Sequence, residues 1–341
     1  MRTTMEHPSA ALVPEVDIRT LIQRGYGDAT VLSLQERSAP IAGPGEVLIR
    51  VAGAAIDRGT WHITTGLPRM ARLGLGLRRP KAEVPGLDVA GTVVGLGAGV
   101  TRFALGDRVF GIARGSLTEC AVALESKLAR VPQACPVADA AALGVSGSTA
   151  LQALDAARVG PGSRVLVIGA SGGVGHFAVQ IAAGRGAQVT AVCSGSKREA
   201  VLGFGASTVL VRERDDLELL TERFDAIVDM AATRSYRQLR RLLADQGRYV
   251  FVGAETGGPW TGGFLRPARA ALRYRWSAKP FVMLIARERA AELETLAALV
   301  DEGILTPHID ARYRLDEVGE ALDRLVSGLV VGKVCIAIGD S

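Results

Sequence analysis

Apolar and polar positions follow two rhythms along the chain. From Val47 to Ala123 the apolar runs are short and closed by glycine-bearing turns. Val47 to Ala52 reads as a strand entered from the turn Pro44-Gly45. Pro85 to Gly97, Gly106 to Gly111 and Ser116 to Ala123 each read as a turn and strand or a strand. Closely spaced strands of this kind predict a small β-rich domain. Asp139 to Leu154 has a helical pattern, broken at Gly144 and Gly147.

Beyond it the rhythm changes to strands alternating with helices. The predicted strands are Val165 to Ile168, Gln188 to Cys193, Thr208 to Val211, Ala226 to Met230, Gly247 to Gly253 and Phe281 to Ile285. Helices are predicted at Lys197 to Phe204 and Ser235 to Leu243. Such alternation implies a parallel sheet with helices on both faces. Glu288 to Glu302 places Ala291, Leu293, Leu296, Leu299 and Val300 at helical spacing. A helix over Leu315 to Val326 and a strand over Gly332 to Ile338 follow, and that last strand is suited to return to the N-terminal sheet. The fold class is α/β, and residues 1–15 read as a loose leader.

Between the first apolar strand of the alternating part and its helix lies a glycine-rich turn. Gly169, Gly172 and Gly175 recur every third residue, with Gly173 added. Gly169 suits a tight strand-to-helix turn, Gly172 a close approach of a pyrophosphate, and Gly175 close packing of the helix. The helix N-terminus, near Val174, would offer free N–H groups and a positive dipole end. Strand, turn and helix stand in the order that a dinucleotide site requires.

Composition narrows the picture little. The chain has 341 residues, enough for two domains, and 48% are apolar. A net charge of +5 with 35 acidic residues does not demand nucleic acid. Cys120, Cys135, Cys193 and Cys335 are far apart, which suggests neither a disulfide framework nor a zinc ribbon. The first 16 residues lack the apolar stretch of a signal peptide, and no apolar run is long enough for a membrane span. The expectation is a cytoplasmic protein without a membrane span, acting on a small molecule. The basic stretch 69–81 reads as a solvated flap or as an anion or membrane site. The run Arg266 to Lys279, with Tyr274 and Trp276, reads as a cleft flank or subunit interface rather than a nucleic-acid surface.

Several segments together resemble the medium-chain dehydrogenase/reductase superfamily, in its zinc-independent, quinone-oxidoreductase-like branch. They are Tyr26-Gly27, Pro44 to Val47, Pro85 to Gly91, Gly106 to Gly111, Gly169 to Gly175, and Gly332-Lys333. The likeness covers nearly all of the chain after residue 25. It implies a GroES-like β-rich catalytic domain (1–147), a Rossmann NADP-binding domain with a doubly wound parallel sheet (148–288), and a C-terminal return to the catalytic domain (289–341). It also implies an active site between the domains and a homodimer.

The resemblance tests for zinc. Where zinc members carry a catalytic Cys this chain has Ile56-Asp57, and their Gly-His-Glu is here Gly86-Leu87-Asp88. Too few residues separate Gly111 from Ser116 for a structural zinc lobe. No zinc is expected, and His62, His176 and His308 are read as local hydrogen-bonding residues. The predicted second strand ends in Cys193-Ser194-Gly195-Ser196-Lys197-Arg198, with no acid for a ribose 2′-hydroxyl. Small hydroxyls and cations there favour NADPH. Relatives use a Lys, matched by Lys197, and a Tyr, replaced here by Arg212. Lys197 and Arg198 read alternatively as helix-surface residues. The cofactor set is completed by Ser171 and Val174 in the turn, Gly253 after the fifth strand, and Thr149, which matches a threonine near the nicotinamide.

For the chemistry, Asp57, Trp61, His62 and Tyr26 are the candidates. Asp57 stands where relatives carry Asn, Thr60 where they carry an acid, and Ser148 where they carry an apolar residue. Asp57 is read either as orienting substrate and relaying a proton or as binding backbone N–H groups. Trp61 and Tyr26 are read as pocket wall or as packing. The leading expectation is NADPH-dependent hydride transfer to a conjugated enone, quinone or related carbonyl compound. The departures at Asp57, Thr60, Ser148 and Arg212 also suit a redox-neutral biosynthetic step with bound NADP, and the glycine turn alone would suit an NADPH-sensing protein.

Overall fold

The computed structural model describes residues 16–254 and 258–339. β1 (Asp17–Gln23) and β2 (Leu32–Ser38) pair antiparallel as a separate ribbon. β3 (Glu46–Ile56), helix α1 (Arg58–Thr65), the single turn α2 (Arg72–Leu75), β4 (Asp88–Leu96), β5 (Arg108–Ile112), β6 (Cys120–Leu124) and β7 (Leu128–Arg130) complete the β-rich part. The short α3 (Val137–Ala140) and α4 (Gly144–Ala156) lead out of it. The alternating part runs β8 (Arg164–Ile168), α5 (Gly173–Gly184), β9 (Gln188–Cys193), α6 (Arg198–Gly203), β10 (Thr208–Val211), β11 (Phe224–Asp229), α7 (Tyr236–Arg240), β12 (Leu243–Phe251), α8 (Leu265–Tyr274) and β13 (Phe281–Met283). Then α9 (Ala290–Asp301), β14 (Ile309–Arg314), α10 (Val318–Val326) and β15 (Lys333–Ala337) close the chain.

The alternating part forms one parallel sheet in the order β10-β9-β8-β11-β12-β13. In the domain's own count that is 3-2-1-4-5-6. The order reverses between β8 and β11, where a crevice opens beyond the strand C-termini. Val165, Leu166 and Val167 of β8 are fully buried, as a central strand covered on both faces requires. The second sheet has the order β14-β15-β3-β4-β5-β7, with β6 also on β3. In it β15 runs antiparallel to β3, Cys335 opposite Ala55. The C-terminal strand does return to the first domain.

Element ends differ from the sequence pattern for identifiable reasons. Gly144 interrupts the helical stretch as expected, but Gly147 lies inside α4. A Cβ there would stand 3.0 Å from Leu296 Cδ1, so the glycine admits α9 rather than ending the helix. The helix expected to reach Leu243 stops at Arg240. Leu243 is fully buried and opens β12 opposite Phe224. The 69–81 stretch is not all loop: it makes a 3₁₀ turn and α2, anchored by Arg72 Nε donating to Gly66 O at 2.9 Å. The β6 strand is confined to Cys120–Leu124.

A single apolar cluster crosses between the domains. It joins Ala55, Ala90 and Phe110 to α4, to Val165, Val167 and Phe177, and to Leu293 and Leu296 of α9. His176 adds a polar tie at this level. Its Nδ1 bonds to Gly172 O at 3.1 Å and its Nε2 accepts the His308 N–H at 3.4 Å. It is fully buried beside Phe177 and Phe204. Burial drives its pKa down to about 3, so the imidazole is neutral. Unfolded histidine titrates near ~6.5. Below that pH the unfolded chain takes up a proton that the folded one refuses. The contribution is therefore whole above ~6.5 and is lost as pH falls toward 3, by at most ~1.4 kcal/mol per pH unit. Urea unfolding between about pH 6.5 and 4 should show a steeper loss of stability in the native protein than in His176→Gln. Equal slopes would refute this assignment.

Candidate active site

The glycine turn lies at the switch point between β8 and β11. Gly169 has φ +85° and follows β8 directly. Gly172 is the N-cap of α5 and no side chain caps that helix. A Cβ on Gly172 would meet only Gly169 O at 3.6 Å, so the approach to it is open. On Gly175 a Cβ would lie 2.1 Å from Gly169 O, so only glycine lets the helix fold back on its own turn. The uncapped N–H groups of a 12-residue helix and the open face at Gly172 fit a pyrophosphate. Ser171 is buried and its carbonyl accepts the Gly332 N–H at 2.8 Å. Val174 packs on the core. Opposite, the buried Asp229 accepts the N–H groups of Ala231 and Ala232 and the Tyr249 hydroxyl. Burial raises its pKa. These bonds hold Ala232 at φ +50° and shape the floor of the crevice. Gly253 lies just beyond β12, with space for a Cβ 3.7 Å from Met230 O.

The far end of β9 carries the other predicted cofactor residues. Ser194 and Lys197 are half-buried, and Ser196, Arg198 and Arg212 are exposed. Lys197 Nζ donates to the carbonyls of Gly328 and Val330, at 2.7 and 2.8 Å, tying this loop to the C-terminal return. Arg198 pairs with Glu199, and Arg212 with Glu213. Glu213 was not foreseen. It comes from the end of β10, and its Oε2 accepts the Gly195 N–H at 3.1 Å. The end of β9 has no acid in sequence but has one in space, because parallel pairing sets β10 alongside.

Three of the four candidate catalytic side chains make local hydrogen bonds, and the fourth packs. Asp57 is the N-cap of α1: its Oδ1 accepts the Thr60 N–H at 3.0 Å, which is the backbone-binding reading of this residue. His62 Nδ1 bonds to Leu67 O, and burial lowers its pKa. The Tyr26 hydroxyl donates to Gly76 O at 2.7 Å, under the Arg72 guanidinium. Burial raises the Tyr26 pKa. Trp61 is half-buried and packs on the first domain's core. His62 and Trp61 are in edge contact. Asp57, His62 and Tyr26 are thus each bonded to a different backbone group.

What does meet is a buried cluster beneath the glycine turn. Lys333, 1% exposed, donates to Asp88 Oδ2 at 2.9 Å and to Ser146 Oγ at 3.1 Å. Asp88 Oδ1 accepts the Val145 N–H at 2.6 Å. A Cβ on Gly173 would stand 3.2 Å from Ser146 Oγ and 3.3 Å from Lys333 Cδ, so the lysine stem lies against the start of α5. Thr149 is three residues beyond Ser146 on α4, on the same side, and donates to Val145 O at 2.6 Å. Burial pushes Asp88 up to about 6, although the ammonium pulls the other way. Burial alone would lower the pKa of Lys333, but Asp88 and Asp57 outweigh it and raise it, so the ammonium is retained. The signal for this pair was a lysine inside the apolar run Gly332 to Ile338 and an aspartate opening an apolar strand.

This donor set does not suit zinc. Asp57 is committed to capping α1 and Asp88 to Lys333, and Ile56 offers no ligand. Among the described residues no group of three His, Cys, Asp or Glu side chains is placed around a metal position.

Removing one partner of the pair should cost more than removing both. Lys333→Met or Asp88→Asn leaves one buried group without its partner, and each should lose about 3–5 kcal/mol in urea unfolding. The double variant should lose less than either single one. Additive losses would show that the two residues are not coupled.

Residues 43–159 match the model for the alcohol dehydrogenase GroES-like domain, and residues 204–336 the one described as zinc-binding dehydrogenase. The chain is 31% identical over 335 residues to the chloroplast envelope quinone oxidoreductase homolog of Arabidopsis thaliana, covering 94% of this chain and 98% of that protein. It is 32% identical over 332 residues to the chloroplastic quinone-oxidoreductase homolog of Spinacia oleracea, covering 92% and 96%. The solved structure of the quinone oxidoreductase from Coxiella burnetii shares the fold, with a TM-score of 0.82 and 24% identity over 95% of this chain and 100% of that one. With its uncapped glycine cradle at the switch point and its returning C-terminal strand, the chain belongs to the medium-chain dehydrogenase/reductase superfamily of NAD(P)-dependent oxidoreductases, among quinone-oxidoreductase-like members.

Proposed function

We propose that the protein is an NADPH-dependent reductase that delivers hydride to a conjugated enone or quinone without a metal. The observation that carries this reading is the open, uncapped start of α5 above the buried Lys333. The α5 N–H groups would hold the pyrophosphate, and Lys333 adds positive charge beneath them without leaving Asp88. Thr149, on the face of α4 shared with Ser146, would flank the nicotinamide. When bound, the dihydronicotinamide supplies the hydride. Among the described residues no three donors are grouped to hold a zinc that would polarise a simple ketone, whereas a conjugated acceptor spreads the incoming charge over its own π-system.

The hydride adds to the electrophilic carbon of the acceptor, and a proton must then reach the enolate. The Tyr26 hydroxyl is already donated to Gly76 O, and His62 Nδ1 is engaged by Leu67 O. The reading therefore takes the proton from solvent. Tyr26→Phe should keep kcat/KM within a few-fold, far from the ~10²–10⁴ loss expected when a general acid is removed. A loss of that size would make Tyr26 the proton donor.

For the nucleotide, the 2′-phosphate would be met by Ser194, Ser196, Arg198 and Arg212. The arginines' pairs with Glu199 and Glu213 are exposed and cheap to exchange for a phosphate. Stopped-flow loss of NADPH absorbance with enones, quinones and aldehydes tests the reaction, and no oxidation with any of them would count against it. In the same assay NADPH should be preferred over NADH. The double variant Arg198→Ala with Arg212→Ala should lower that preference about tenfold, or ~1.4 kcal/mol. If NADH is instead preferred, and Glu213→Gln weakens it, Glu213 binds the ribose and the NADPH assignment fails.

A further inference from the structure

Helix α8 is amphipathic in an unusual sense. Its inner face, with Ala270, Ala271 and Tyr274, packs with Phe264 on the apolar layer over the parallel sheet. Its outer face carries a second apolar stripe. Leu265, Ala268 and Leu272, with Trp276 just past its end, follow at three- and four-residue steps and all are exposed, Leu272 by 71% and Trp276 by 85%. Arg266, Arg269 and Arg273 flank one side of that stripe and Arg275 the other, with the Arg275 guanidinium over the Trp276 ring. From residue 258 to 287 there are six cations and no acid.

The 69–81 segment is tied to the residues that precede α8. The N–H groups of Arg69 and Met70 donate to the carbonyls of Pro259 and Trp260, and Arg69 covers the exposed Trp260 ring. Leu73 and Leu77 are exposed, and between 69 and 82 there are five cations and no acid. The same segment ends at a cavity of about 690 Å³ lined by Gln23, Arg24, Arg37, Arg79, Lys81 and Glu83. Gln23 is almost fully buried there, yet its Oε1 has no hydrogen-bond partner in the protein.

We propose that this face docks on an anionic lipid surface, with Leu265, Leu272 and Trp276 entering the interfacial region and the arginines meeting the headgroups. Exposed leucine and tryptophan flanked by arginine is the pattern of a helix that lies in a bilayer interface. At 10 residues α8 could not cross one, and no helix among the described residues is long and apolar enough to do so. Charge selects the lipid over a second copy of the same face: in a two-fold contact cations would oppose cations. The docking stands independently of the reductase reading. Together the two would let the protein take a quinone or enone from the lipid in which it dissolves.

Flotation of the full chain with phosphatidylcholine vesicles, with and without phosphatidylglycerol, tests it. Binding is expected only with the anionic lipid, to weaken at high salt, and to shift tryptophan emission to the blue. Leu272→Ser with Trp276→Ser, and separately Arg269→Glu with Arg273→Glu, should each lower the partition coefficient at least about tenfold. Melting temperature, NADPH binding and turnover of a water-soluble quinone should stay unchanged in both. Equal binding to neutral and anionic vesicles, or no binding, overturns the proposal. So does a concentration-dependent oligomer that both variants dissolve, which would make the face a self-interface. Intact vesicle binding without any quinone turnover would instead refute the reductase reading alone.

Discussion

The contact between Lys333 and Asp88 is the constraint on which the site depends. Both side chains are 1% exposed, so each is tolerable only because the other is there. The pair gathers four elements. Asp88 opens β4, Lys333 opens β15, Ser146 sits on α4, and the lysine stem lies against Gly173 at the head of α5. The setting of the glycine turn is therefore not a property of the parallel sheet alone. Its underside is built from the first domain and from the returning C-terminus. The Gly332 N–H on Ser171 O and the Lys197 ammonium on the carbonyls of Gly328 and Val330 fasten the same return to the turn and to the end of β9.

Much of the fold was legible because it rests on local signals. Apolar runs located β9 and β10 to the residue, and the glycine spacing located the turn. The requirement for glycine at Gly175 follows from helix packing and is visible as a 2.1 Å clash. The reading of His176 as a hydrogen-bonding residue rather than a ligand also rested on local chemistry. What was not legible is what depends on pairing across the chain. Asp88 and Lys333 are 245 residues apart, and each alone looked like an ordinary signpost. Glu213 reaches Gly195 only because β10 lies beside β9.

The catalytic candidates show the same division from the other side. Asp57 and His62 are candidates as polar groups in a segment that leaves a strand, and Tyr26 as part of the Tyr26-Gly27 pair. That segment also has a helix end and two tight turns to satisfy. Asp57 caps α1, His62 bonds to Leu67 O, and Tyr26 bonds to Gly76 O. Buried or half-buried backbone must find partners, and the nearest polar side chains supply them. A polar cluster after a strand thus has two explanations of equal chemical content. Only the positions of the donors and acceptors decide between them.

The same accounting applied to apolar groups isolates α8. Folding gains from its inner face, where Ala270, Ala271 and Tyr274 meet the layer over the sheet. It gains little from Leu272 or Trp276, which are as exposed as charged residues would be. A single exposed leucine needs no account. A stripe on α8, with exposed Leu73 and Leu77 on a segment hydrogen-bonded to the residues before that helix, and eleven cations and no acid on the two segments, is a different matter. Neither the packing of this chain nor the binding of a dinucleotide calls for that combination. An anionic interface accounts for both halves of it at once, since the apolar side chains need a non-aqueous layer and the arginines need the phosphates that border it.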